Sequence, residues 1–170
     1  MKNLFKIAIL TITLSMPFIV FSQSAAQTKA NTANVKNAQK VEKQTYDPWA
    51  WGKRTNSVQA VEVKHPEGTL YCSGQVAIDS NGMPSAANMR TQLIQTIQNL
   101  EQLISKSGYE CGGIVRLNVY TTSTQDFFTT CMDIYVPFIQ KYGIKQATSL
   151  IEVKGLFATL TVELEATVVK

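Results

Sequence analysis

Glu163 and Glu165 stand two residues apart in a run that alternates Leu160, Val162, Leu164, Ala166 and Val168 with Thr161, the two glutamates and Thr167. That is the period of a half-buried strand, and it puts both carboxylates on one face. Like charges at that spacing repel. One carboxylate is therefore expected in water and the other in a pocket, where burial perturbs its pKa and suits it to proton transfer. A solvated outer face is the other reading, and the strand alone leaves both open. Other reactive groups are sparse. The single His65 sits beside Pro66 in a turn and no CxxC occurs, so a His/Cys metal site is not expected. Cys72 falls inside a strand as a small hydrophobe. Cys111 follows a helix and Cys131 lies within another, a pair that an oxidising compartment could join. Trp49 and Trp51, in the run Tyr46 to Arg54, fall on one side of an extended segment. That segment is either a flap packed on the body or an aromatic wall for a ligand.

The elements that must position these groups follow from periodicity and turn chemistry. Val58–Val63 and Thr69–Ile78 read as strands joined through His65-Pro66-Glu67-Gly68, and so as a hairpin. Met89, Leu93, Ile97, Leu100 and Ile104 recur at three and four residues, which predicts a helix over 87–107. Ser85 or Asn88 can cap its start and Gly108 its end. Ile114–Thr121 is a third strand, with Val115, Leu117 and Val119 on one face and Arg116, Asn118 and Tyr120 on the other. A strand of that kind is covered by helix on one side only. A second helix over 125–142 buries Phe128, Met132, Tyr135, Phe138 and Ile139, with Pro137 expected to kink or break it near Asp133-Ile134. Ala147–Val153 and Leu160–Val169 close the chain as strands. The order β-β-α-β-α-β-β predicts an α+β, two-layer domain, a mixed sheet with two helices on one face.

Before this domain the chain reads as two further segments. Lys2 and Lys6 followed by the apolar Ile7–Phe21 resemble a secretory signal peptide over 1–22, too short for a confident membrane span, with cleavage after Ser22 or near Ala26. Residues 23–44 are polar, lack aromatic side chains before Tyr46 and read as a disordered linker. The domain is assigned to 45–170. The whole chain carries 16 Lys and Arg against 12 Asp and Glu. From Gln44 onward the balance is ten basic against eleven acidic residues, a net of −1. So nearly neutral a domain offers little basis for nucleic-acid binding. The chain is expected to be periplasmic or secreted, without membrane attachment once the leader is removed.

The C-terminal run also carries a resemblance. Ala147-Thr148-Ser149-Leu150-Ile151, Val153, Gly155-Leu156 and Val162-Glu163-Leu164-Glu165-Ala166 are similar to the C-terminal signature of the YjgF/RidA family, called Rid. Leu70-Tyr71-Cys72-Ser73-Gly74-Gln75, Gln98-Asn99-Leu100 and Val115–Thr121 followed by Asp126-Phe127 fall in the family's order. The resemblance runs from about Ser57 to the end. It implies the chorismate-mutase-like fold and a homotrimer whose ligand clefts lie between subunits.

Family deaminases hydrolyse 2-imino acids and their enamines to 2-oxoacids and ammonia, with no cofactor. A cation holds the substrate carboxylate and a glutamate positions water. By the resemblance Glu163 stands at the glutamate position and is the candidate catalytic residue. Gly74, next to Ser73, stands where the family turns a backbone amide to the ligand. Leu150 replaces a pocket cysteine, Ser57 a pocket tyrosine and Thr148 the arginine. Thr148 offers one neutral hydrogen bond in place of a bidentate charged pair. Arg116, Lys53 and Arg54 are the cations that could compensate. Two functions follow: an imine/enamine deaminase of atypical specificity, or a non-catalytic trimeric module that binds a small molecule.

Overall fold

Helix α1, Met89–Lys106, organises the domain in the computed structural model, which describes residues 41–49 and 56–170. The leader, the linker as far as residue 40, and Trp51, Lys53 and Arg54 lie outside the described residues. Asn88 caps α1, its side chain accepting from the Thr91 amide at 2.9 Å, and Gly108 follows the helix at φ 74°. Its apolar stripe puts Leu93, Leu100 and Ile104, all fully buried, against one face of the sheet. Each stabilises the fold by about 1.5–3 kcal/mol.

The main sheet has four strands: β3 (Thr69–Val76), β4 (Ile114–Thr121), β5 (Leu150–Glu152) and β6 (Val162–Val169). Their spatial order is β3-β6-β4-β5, with β6 antiparallel to both neighbours and β4 parallel to β5. Val162, Leu164, Ala166 and Val168 of β6 are buried under the helices. Glu163, Glu165 and Thr167 occupy the opposite face. β5 is shorter than the run read from sequence, but pairing continues before it: Leu117 donates to Ala147 O and Val119 to Ser149 O. The result is an α+β, two-layer domain with a mixed sheet.

Three expectations about the elements are corrected. First, Val58–Val63 does not pair with Thr69–Ile78. The observed strand β2, Ala60–Lys64, pairs instead with β1, Glu42–Tyr46, in a separate two-stranded sheet. The start of β3 is tied to the end of β6 by reciprocal bonds between Gly68 and Lys170, at 2.9 and 3.1 Å, and His65 adopts φ 51° as the chain turns away. β1 is polar and exposed along its length, so no hydrophobic pattern announced it, and its first residues fall in the stretch read as linker. Second, the helix over 125–142 divides at Cys131 into α2 (Thr124–Thr130) and α3 (Met132–Lys141), while Pro137 stays inside α3. Third, the buried stripe runs Phe127, Cys131, Tyr135 and Phe138 across the break, so that Phe127 takes the core position and Phe128, expected in the core, is 58% exposed. Cys72, Cys111 and Cys131 are separate buried thiols, so the pairing considered for the last two is not formed. Burial pushes the Cys111 thiol up to about 11, which keeps it protonated and unreactive.

Gln92 locks the helix layer to the sheet. It is fully buried in α1, donates to the carbonyls of Ser85, Ala87 and Thr159, and accepts from the amide and hydroxyl of Thr161. The segment leading into β6 is thereby held to the start of α1.

Candidate active site

Glu163 sits on the sheet face that the helices leave uncovered. Beside it β3 carries a bulge: Cys72 pairs with Ala166 but Gln75 with Leu164, so Ser73 and Gly74 bridge one residue too many. The Gln75 side chain donates to Ser73 O at 3.0 Å and closes the bulge. The Glu163 carboxylate lies directly over the Gly74 backbone, and a Cβ added at Gly74 would fall on it. Space rather than φ favours glycine there, since Gly74 is not among the positive-φ glycines and a Cβ would displace the Glu163 side chain. Asn99 secures the same strand end, donating to Val76 O at 2.8 Å and Ile78 O at 2.9 Å.

The two glutamates have different electrostatics. Burial, then the nearby charge of Glu165, raises the pKa of Glu163. Hydrogen bonds from Asn118 at 3.1 Å and Tyr120 at 2.9 Å lower that of Glu165, and the Arg116 charge adds to the effect. Glu165 is thus pinned as an anion, and Glu163 is the carboxyl poised to exchange a proton with water.

Thr148 and Leu150 belong to a second place. With Ser57 they line a cavity of about 340 Å³ on the helix side of the sheet, walled by Phe127, Met132 and Tyr135. Gln146 builds it: its side-chain amide donates to Asn56 O at 2.8 Å and its backbone carbonyl accepts from the Val58 amide at 3.0 Å, which lays Ser57 alongside Thr148. None of the described lining residues is charged. The Tyr135 hydroxyl lies beside Thr148 and Gln146, and burial pushes its pKa up. Yet Tyr135 Oη, Thr148 Oγ1 and Gln146 Oε1 are all buried with no partner in hydrogen-bonding geometry among the described residues. Such an unmade bond costs about 1–3 kcal/mol.

The structure therefore sorts the residues singled out from the sequence into two groups on opposite faces of the sheet. Thr148, Leu150 and Ser57 are under the helices, with Leu150 paired to Val119. Glu163, Gly74 and the adjacent Ser73 meet across β3 and β6 on the other face. Arg116 is exposed and acts on Glu165, so within one chain it does not face Thr148. Lys53 and Arg54 lie outside the described residues. Sequence reasoning missed Tyr135, which its spacing assigns to the core, and Gln146, which no pattern marks. Asn118 and Tyr120 were visible as the polar side of their strand.

Comparison with known proteins bears on this arrangement. A family model described as "Endoribonuclease L-PSP" matches residues 53–170. A RutC family protein of Aquifex aeolicus is 30% identical over 112 residues, covering 66% of this chain and 86% of its own. A 2-iminobutanoate/2-iminopropanoate deaminase of Mus musculus is 30% identical over 113 residues, covering 66% of this chain and 79% of its own. A crystal structure of a Rid-family protein of unknown function from Yersinia pestis superposes with TM-score 0.65 at 27% identity, covering 75% of this chain and 98% of that one.

Proposed function

Because the chain belongs to the YjgF/RidA family, we propose that it hydrolyses imines or enamines, with a specificity altered by Thr148 at the arginine position. The observation that carries this reading is Glu163, half-buried against Gly74 with its pKa raised. Water adds to the C=N carbon and loses a proton to the Glu163 carboxylate. The imine nitrogen, protonated by solvent, becomes an amine in this step; Glu163 then passes its proton to that amine, the C–N bond breaks to release ammonia, and the hydroxyl returns its proton to solvent as the carbonyl forms. The relatives named as deaminases of 2-iminobutanoate and 2-iminopropanoate support the reaction class. Their substrates carry a carboxylate, and Thr148 offers such a group no charge.

The same reading makes the working unit a homotrimer. Thr148 and Glu163 stand on opposite faces of one sheet, so one copy must supply the cavity and the next the glutamate. A leader over 1–22 would export the mature chain to the periplasm or beyond. A second reading, a trimeric module that binds a small molecule without turnover, is favoured by the uncharged lining of the Thr148 cavity.

The test uses a carboxylate-free imine released in situ by a flavin amine oxidase, with aldehyde formation followed above the uncatalysed rate. Wild-type protein should accelerate it, and Glu163→Gln should lower that acceleration by about 10²-fold or more. Equal rates for the two proteins would remove Glu163 from the chemistry. No acceleration by wild type would leave the binding module.

A further inference from the structure

The Thr148 cavity has an unusual combination of features for a ligand site. Its size, about 340 Å³, suits a ring-sized organic molecule. Its walls are Val119, Phe127, Met132 and Leu150, and the exposed Phe128 forms part of its rim. A carboxylate placed there would surrender its hydration without meeting a cation among the described residues. Yet the wall is not wholly apolar. Thr148 Oγ1 and Tyr135 Oη are buried side by side, close enough to interact, but among the described residues neither has a partner in good hydrogen-bonding geometry. Thr148 lines the cavity, so a χ1 turn between staggered wells can offer Oγ1 to a ligand there at the cost of no more than its poorly aligned contact with Tyr135. Tyr135 can then donate to Gln146 Oε1, also unpartnered, while Thr148 donates to whatever acceptor fills the cavity.

We propose that this cavity takes an uncharged small molecule with an aromatic or branched apolar body and a single carbonyl, whose oxygen accepts from Thr148 Oγ1. The proposal rests on the reading of the cleft as a ligand site and names its ligand class; it does not depend on turnover.

A matched pair of probes tests it. Phenylacetamide and phenylacetate have nearly the same shape and differ in charge. Binding to the full chain is followed by calorimetry and by the methyl NMR signals of Met132 and Leu150. The amide should shift those methyls and bind about tenfold more tightly than the anion. Thr148→Val should weaken the amide roughly three- to tenfold, the worth of one neutral hydrogen bond, and Thr148→Ser should restore it. Thr148→Arg should reverse the preference. Phenylacetate binding as well as or better than the amide in wild type would overturn the proposal, as would the absence of any shift at Met132 and Leu150 with either probe. Amide preference without imine turnover would overturn only the hydrolase reading. Turnover without amide preference would overturn only this one.

Discussion

Gly74→Ala isolates the contact on which Glu163 depends. The added Cβ would come within 2.9 Å of Glu163 Cγ and closer still to the carboxyl group, and its three nearest neighbours all belong to that side chain. Glu163 must therefore swing off the bulge. Overpacking of this kind costs about 1–3 kcal/mol. The backbone at Gly74 is open to any residue, so alanine also narrows the unfolded ensemble, worth about 0.4–1 kcal/mol in the opposite direction. In a Glu163→Ala background the clash disappears and only the second effect remains. The substitution should thus destabilise the wild type and leave the Glu163→Ala protein unchanged or slightly stabilised, a coupling of about 1–3 kcal/mol. Urea denaturation of the four proteins measures it. An NMR titration adds a second readout, since Glu163 pushed into water should titrate closer to an ordinary glutamate. Equal effects of Gly74→Ala in both backgrounds, or an unmoved Glu163 titration, would refute the packing argument.

Other consequences concern stability, pH and assembly. Gln92→Leu removes five hydrogen bonds and strands buried backbone partners, so it should cost about 3 kcal/mol or more by urea denaturation, whereas Gln98→Leu on the exposed side of α1 should change little. The two glutamates should tilt the pH dependence of stability in opposite senses. Glu163, raised from 4.5, contributes stability that is present below that value and lost as pH rises through its folded value, so Glu163→Gln should match or exceed wild-type Tm at pH 7. Glu165, lowered from 4.5, contributes stability above that value that is lost as pH falls, so Glu165→Gln should lower Tm at pH 7 and converge with wild type in acid. Light scattering on the full chain should give three copies, and a monomer would remove the shared cleft.

The parts of the fold that bury apolar surface were legible because burial imposes a period. Met89 to Ile104 announced α1, and Val162 to Val168 announced β6, each within a few residues. β1 was not legible because no residue of Glu42–Tyr46 enters the core and the strand is held by backbone pairing with β2, which leaves no trace in residue type. The split at Cys131 was misplaced because Pro137 was the visible breaker, and Phe127 and Phe128 both fit an apolar stripe with Tyr135, so spacing did not say which of the two is buried. At the site, Glu163 and Glu165 showed themselves as a pair on one strand face. Their division into a desolvated carboxyl and a pinned one depends on partners from other strands, Gly74 on one side and Asn118 with Tyr120 on the other. Thr148 stood out only through the family resemblance. Its neighbour Tyr135 looked like core, because a ring that lines a cavity and a ring that fills one have the same spacing.

The central claim is a cleft whose chemistry survives but whose cation is gone. It is tested most directly by hydrolysis of 2-iminobutanoate, generated in situ by a threonine dehydratase, with wild type and Thr148→Arg compared and release of 2-oxobutanoate followed. The account predicts little acceleration by wild type and a gain of about tenfold or more for Thr148→Arg, the difference between a neutral hydrogen bond and a bidentate charged pair. Adding Glu163→Gln to Thr148→Arg should abolish the gain. Wild-type activity equal to that of Thr148→Arg would mean that another cation, such as Arg54, already serves the substrate, and silence in both would mean that no hydrolytic cleft survives.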